Sequence, residues 1–143
     1  MDHVVYLDSK ANEHDLLLSG KKKMIIRGAA GRKMPYGRVN QNDNLYFINN
    51  NGEGVILSKA LVSVVINSEK MTEDESIQLV NNHAKELQLS KSQYSRWAGK
   101  RYLVLIGTKE MEEIEPFQID KSGYGNMDDW LLVQKIDDVR INH

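Results

Sequence analysis

Asn50-Asn51-Gly52 constrains this chain more than any other short segment. It separates two β-branched and aromatic runs, residues 44–49 (NLYFIN) and 54–66 (GVILSKALVSVVI), and is the strongest hairpin signal in the sequence. An antiparallel pair is therefore expected near the middle of the chain. Residues 3–7 (HVVYL), 23–26, 101–106 (RYLVLI) and 130–136 are further apolar runs of strand length. Between them lie helix signals. Ser9 or Asn12 can cap a helix that Gly20 ends, and Thr72-Glu73-Asp74-Glu75 is a capping box ahead of the stripe Ile77, Val80, Ala84 and Leu87. Ser90-Lys91-Ser92-Gln93 repeats that cap and opens a short helix ending at Gly99. Five or six short strands with helices inserted between them predict an α+β chain built on a small mixed or antiparallel β-barrel. At 143 residues, with 41% in the hydrophobic set and no internal repeat, one domain spanning residues 1–143 is expected.

Composition removes several chemistries. The chain has no cysteine, so it has no disulfide, thiol nucleophile or zinc–thiolate site. No run approaches the roughly 18 apolar residues of a membrane span, and the N-terminus lacks a basic-then-apolar leader, so a soluble cytoplasmic protein without a membrane partner is expected. His3, His14, His83 and His143 are far apart and never paired at ligand spacing, so no metal is expected. His14 and His83 lie on the helix signals, where a boundary position between apolar stripe and solvent is the plain reading. No Walker loop, Gly-x-Ser-x-Gly elbow or dinucleotide fingerprint is present, and no cofactor is expected.

The formal net charge of −1, from 19 Lys and Arg against 20 Asp and Glu, hides a strong asymmetry. Residues 20–38 hold Lys21, Lys22, Lys23, Arg27, Arg32, Lys33 and Arg38 with no acid. The rest of the chain then has twelve cations against twenty acids. Much of that excess lies in residues 109–129, where Glu110, Glu112, Glu113, Glu115, Asp120, Asp128 and Asp129 face only Lys109 and Lys121. Solvated charge, or pairing between the two stretches, is the plain reading of such runs. The sharper reading is an anion-binding loop. The Gly- and Pro-punctuated segment 28–39 supplies cations, backbone N–H groups near glycine and the ring of Tyr36, a set that suits phosphates and an unstacked base. Trp97, between Arg96 and Lys100, is a second candidate stacking ring. Tyr46, Tyr94, Tyr124 and Trp130 also have suitable rings, with packing as the plainer role.

Leu18-Ser19-Gly20-Lys21-Lys22-Lys23-Met24-Ile25-Ile26-Arg27, a loop, Gln41-Asn42-Asp43-Asn44-Leu45-Tyr46-Phe47 and an apolar strand follow one another in an order that resembles the ASCH domain of the PUA-like superfamily. Asn42-Asp43 stands where Gly-Asp is usual. The tail Glu115-Pro116-Phe117-Gln118-Ile119-Asp120-Lys121, followed by Trp130, resembles the end of such domains. The resemblance implies a small β-barrel with a cleft beside the Gly-x-Lys segment, used by relatives to bind RNA or other nucleic acid. It also implies an alternative, because some ASCH relatives are amidohydrolases acting on acylated cytidine. They use the lysine of Gly-x-Lys, a threonine three residues later and a glutamate on the strand after the hairpin. Lys22 matches the lysine, Ile25 stands in the threonine position, and no acid occurs between residues 54 and 67. A lysine without an acid or hydroxyl partner cannot both activate a nucleophile and shuttle protons, which favours binding. The expected partner is RNA or a single-stranded or flipped nucleic acid, contacted by Lys21, Lys22, Lys23, Arg27, Arg32, Lys33 and Arg38, with Tyr36 and Trp97 stacking a base. A protein partner for the acidic residues 110–129 is a third reading.

Overall fold

A computed structural model describes residues 1–120, 122 and 129–141. Lys121, Tyr124, Asp128 and His143 lie outside the described residues. The order of elements is β1 (Asp2–Leu7), α1 (Glu13–Leu18), β2 (Met24–Ala29), β3 (Asn44–Asn49), β4 (Val55–Asn67), α2 (Glu73–Asn82), α3 (Ala84–Leu87), α4 (Lys91–Trp97), β5 (Tyr102–Gln118) and β6 (Trp130–Val133), followed by a 3-10 turn at Ile136–Asp138. The strands form one curled half-barrel sheet in the order β2-β5-β4-β3-β1-β6. Every neighbouring pair is antiparallel except β1 with β3. This is the mixed small barrel with inserted helices that the sequence predicts. Among the described residues, no helix is long and apolar enough to cross a membrane.

The hairpin forms as expected: β3 and β4 pair from Asn44↔Leu61, and Gly52 and Gly54 both take positive φ in the connection. Both capping boxes also form. Thr72 Oγ1 accepts from Glu75 N–H at 3.2 Å while the Glu75 carboxylate accepts from Thr72 N–H at 2.9 Å, and Ser90 and Gln93 repeat the exchange.

Several boundaries differ from the sequence reading; the last strand ends at Val133, and Ile136 opens the 3-10 turn. The helix expected from Thr72 through Leu87 breaks at His83, whose ring is bonded to the Leu79 carbonyl and whose N–H turns to Val80 O, so the regular ladder is interrupted there. Strand β2 continues through Gly28, where the breaker signal predicts a loop. A Cβ on Gly28 would lie 2.6 Å from Leu103 Cδ2, so this glycine serves the close approach of β5 and not a turn. Strand β5 runs to Gln118, far beyond the expected 101–106, because its pairing with β4 carries on through the acidic residues across several bulges.

Both faces of the central strands are covered. Ile25, Val104 and Ile106 turn into the curl of the sheet with Val5, Leu7, Leu45, Phe47, Val62 and Trp130. Met24, Ile26, Leu103 and Leu105 turn out against Val80, Leu87 and Trp97 of the helices. Two covered faces explain why β2 and the start of β5 read as continuous apolar runs. At the other side of the sheet, His3 is fully buried and fixes three strands together. Trp130 Nε1–H donates to His3 Nδ1 at 3.0 Å, so the proton sits on Nε2, which donates to Asp43 at 2.9 Å. Burial holds the His3 imidazolium below its ordinary pKa despite the nearby carboxylate.

Among the described strands, β2 and β6 are the two edges of the curl. A seam therefore runs between β2 and the β1–β6 pair, and one arginine spans it.

A candidate nucleic-acid interface at the sheet seam

Arg27 projects from β2 into the seam and is 6% exposed. Its Nη2 donates to Tyr6 O of β1 at 2.7 Å and to Asp129 O, just before β6, at 3.4 Å, while Nη1 donates to Ile26 O at 2.8 Å. The guanidinium lies between two indoles, 5.9 Å from the Trp97 ring centre and 5.6 Å from that of Trp130. Its Nε is buried without a hydrogen-bond partner among the described residues, and the nearest carboxylate oxygen among them, Asp129 Oδ2, stops at 3.7 Å.

Above the seam is a solvent-open cavity of about 240 Å³, flanked by α1 and α4. Glu13 reaches it from α1; Ser92, Gln93, Arg96 and Trp97 from α4; Tyr6 and Asp8 from the β1 end; and Asn50 from the hairpin, with Arg27 and Asp129 at the seam itself. It is smaller than the roughly 300–1,000 Å³ of drug-sized ligand sites, and it offers hydrogen-bonding groups on every side. Lys22 lies behind this wall. It is 1% exposed, its Nζ is 3.3 Å from the Glu13 carboxylate, and it also donates to Leu87 O. Burial pulls the Lys22 ammonium below its ordinary pKa, and Glu13 opposes that shift. The charges of Lys22, Arg27 and Arg96 are matched by Asp8, Glu13 and Asp129.

The seven cations of residues 20–38 thus divide. Lys22 and Arg27 are interior groups, paired with Glu13 and Asp129 and bonded to backbone carbonyls, and are not part of an exposed phosphate-binding surface as the sequence reading expects. Lys21, Lys23, Arg32, Lys33 and Arg38 are exposed. Of the seven, Arg27 alone lines the seam cavity.

The two candidate stacking rings are also placed differently from the sequence reading. Tyr36 is half-buried, donates its hydroxyl to Ser68 O, and packs edge-on against Tyr102 with ring centres 5.7 Å apart. The Arg32 guanidinium covers both rings at 5.7 Å. Trp97 is 7% exposed and lies 4.3 Å beneath the Arg96 guanidinium, whose side chain is 59% exposed. In both places the ring is a backing and an arginine is the surface it presents. An arginine plane supported in this way is itself a stacking platform for a base.

Sequence reasoning missed Glu13, Gln93 and Asp129. The signal for Glu13 was its spacing: it stands one helical turn before Leu17, and both are buried on the same stripe of α1. Glu13 on this helix is the carboxylate that Lys22 meets. Ile25 is fully buried in the core, so the threonine position contributes no hydroxyl. Of the acidic stretch, Glu110, Glu112, Glu113 and Glu115 are exposed along β5, with Glu112 3.4 Å from Lys59. His14 is bonded to Ser58 Oγ at 2.8 Å, a boundary histidine with its partner.

No family model and no curated protein matches the sequence. Three crystal structures of the ASCH protein of Zymomonas mobilis, one of the protein itself and two of its point mutants, do match in fold. Each has a TM-score of 0.66 and 16% identity to this chain. Each match covers 94% of this chain and 88%, 89% or 91% of the other. With the curled six-stranded sheet and the inserted helices, this likeness gives the chain the fold of the Zymomonas mobilis ASCH protein.

Proposed function

We propose that this chain binds single-stranded or flipped nucleic acid, RNA in the first instance, with a nucleotide seated at the β2–β6 seam. The observation that carries the reading is the seam cavity itself: hydrogen-bonding side chains around a small volume, beside an exposed Arg96 plane backed by Trp97. A balanced set of charges around the cavity suits a neutral base. The exposed Lys21, Lys23, Arg32, Lys33 and Arg38 supply the positive surface that a phosphate backbone needs, and their sign is not diluted by any acid in that stretch. Fluorescence anisotropy with a labelled single-stranded RNA tests this. Binding at low salt should weaken steeply as salt rises, and Arg32→Ala/Lys33→Ala/Arg38→Ala should reduce the slope of log K against log salt by about 2, at roughly 0.7 per phosphate contact. No measurable binding at low salt, or an unchanged slope in the triple variant, would overturn the reading.

One observation favours a second reading, hydrolysis of a modified nucleoside. The Lys22–Glu13 pair gives the lysine a carboxylate partner beside the cavity. Turnover of a panel of acylated nucleosides by the unmodified chain, abolished in Lys22→Met, would support it, and no turnover on the panel would remove it.

A further inference from the structure

We propose that the Asp129 carboxylate occupies the seat of an anionic ligand group between Arg27 and Arg96, and that a phosphate takes this seat by turning the carboxylate out. The proposal rests on the nucleic-acid reading for the source of the phosphate, and on the seam geometry for the seat. Three observations carry it. First, the carboxylate holds the seat without filling it. Asp129 Oδ2 is 3.4 Å from Arg96 Nη2 and 3.7 Å from Arg27 Nε, whereas charge-assisted contacts close to about 2.7–2.9 Å. Second, among the described residues Arg27 Nε is a buried donor with no acceptor, and the other two guanidinium nitrogens are already committed to backbone carbonyls. An unmet donor on a buried charged group costs free energy that a ligand oxygen would recover, and a tetrahedral phosphate has enough oxygens to reach Nε and Arg96 together. Third, the exchange needs no backbone movement. The Asp129 carbonyl is held by Tyr6 N–H at 3.1 Å and by Arg27 Nη2, while its side chain is 30% exposed at the mouth of the cavity and can rotate to solvent. With the carboxylate gone, Lys22, Arg27 and Arg96 outnumber the remaining acids Asp8 and Glu13 by one, an excess positive charge that a phosphate compensates.

The test is Asp129→Asn, with Asp129→Ser as a second variant, titrated with labelled single-stranded RNA and separately with inorganic phosphate. Both variants should bind RNA more tightly, on the order of tenfold, and should bind inorganic phosphate more tightly than the unmodified chain. Arg96→Ala should erase the gain when combined with Asp129→Asn. Asp137→Asn, the loss of an acid outside the seam cavity, should give a much smaller change. Unchanged affinity for both probes in the Asp129 variants, or an equal gain from Asp137→Asn, would overturn the proposal. If no form of the chain binds RNA, the nucleic-acid reading fails and the phosphate titration alone decides the seat.

Discussion

Arg27→Ala is expected to destabilise the fold by about 3–5 kcal/mol, lowering the thermal midpoint by roughly 10–15 °C for a chain of this size. The substitution removes the only side chain seen to bond both β2 and the β1–β6 edge among the described residues: Tyr6 O, Asp129 O and Ile26 O all lose a donor, and the space between Trp97 and Trp130 is emptied. Arg27→Lys should fall between, since it keeps the charge and loses the planar fork that reaches several carbonyls at once. Thermal or urea unfolding of the three forms checks this. Amide exchange at Tyr6, whose N–H bonds Asp129 O across the same junction, should quicken in Arg27→Ala before global unfolding. A loss under about 1 kcal/mol would mean that water satisfies those carbonyls and that the seam is held by other contacts.

Glu13→Ala is expected to cost a similar amount, about 3–5 kcal/mol at neutral pH, because it strands a buried ammonium. Lys22 would keep the Leu87 carbonyl as acceptor and lose the carboxylate, and Asp8 N–H would lose the acceptor it has in Glu13 Oε1 at 2.9 Å. Glu13→Gln combined with Lys22→Met should recover most of the loss, since neither charge is then buried and the amide can still accept from Asp8. The dependence on pH follows from the direction of the Lys22 shift. Its folded pKa is already below the unfolded value near 10.5, and losing Glu13 lowers it further. The folded form of the variant then releases its proton first, so its deficit should shrink as pH rises from 7 toward 10. Urea unfolding across that range measures it, and a deficit constant with pH would contradict a charge origin.

Much of the frame was legible because it depends on local chemistry. Asn50-Asn51-Gly52 makes a hairpin from its own turn preferences, and Thr72 and Ser90 start helices by bonding their own third residues. What escaped depends on partners distant in sequence. Gly28 reads as a breaker until Leu103 is known to press on it, and the acidic half of β5 reads as loop until β4 is laid beside it. Lys22 and Arg27 carry the same charge as Lys21 and Lys23, and only the positions of Glu13, Tyr6 and Asp129 decide that two of these four turn inward. The site was half legible for the same reason. The Arg96–Trp97 neighbourhood was visible as adjacent residues, whereas its meeting with Arg27 and Asp129 requires the curl of the sheet to bring β2 and β6 together.

The central claim is that nucleic acid binds at this seam, and the chain's two tryptophans allow a direct measurement. Trp97 lines the cavity beneath Arg96, while the Trp130 indole N–H is buried and bonded to His3. In a ¹⁵N–¹H spectrum titrated with single-stranded RNA, the Trp97 indole resonance should shift with the binding isotherm while that of Trp130 moves far less. Saturable binding by anisotropy with the Trp97 resonance unmoved would place the nucleic acid elsewhere and contradict the account.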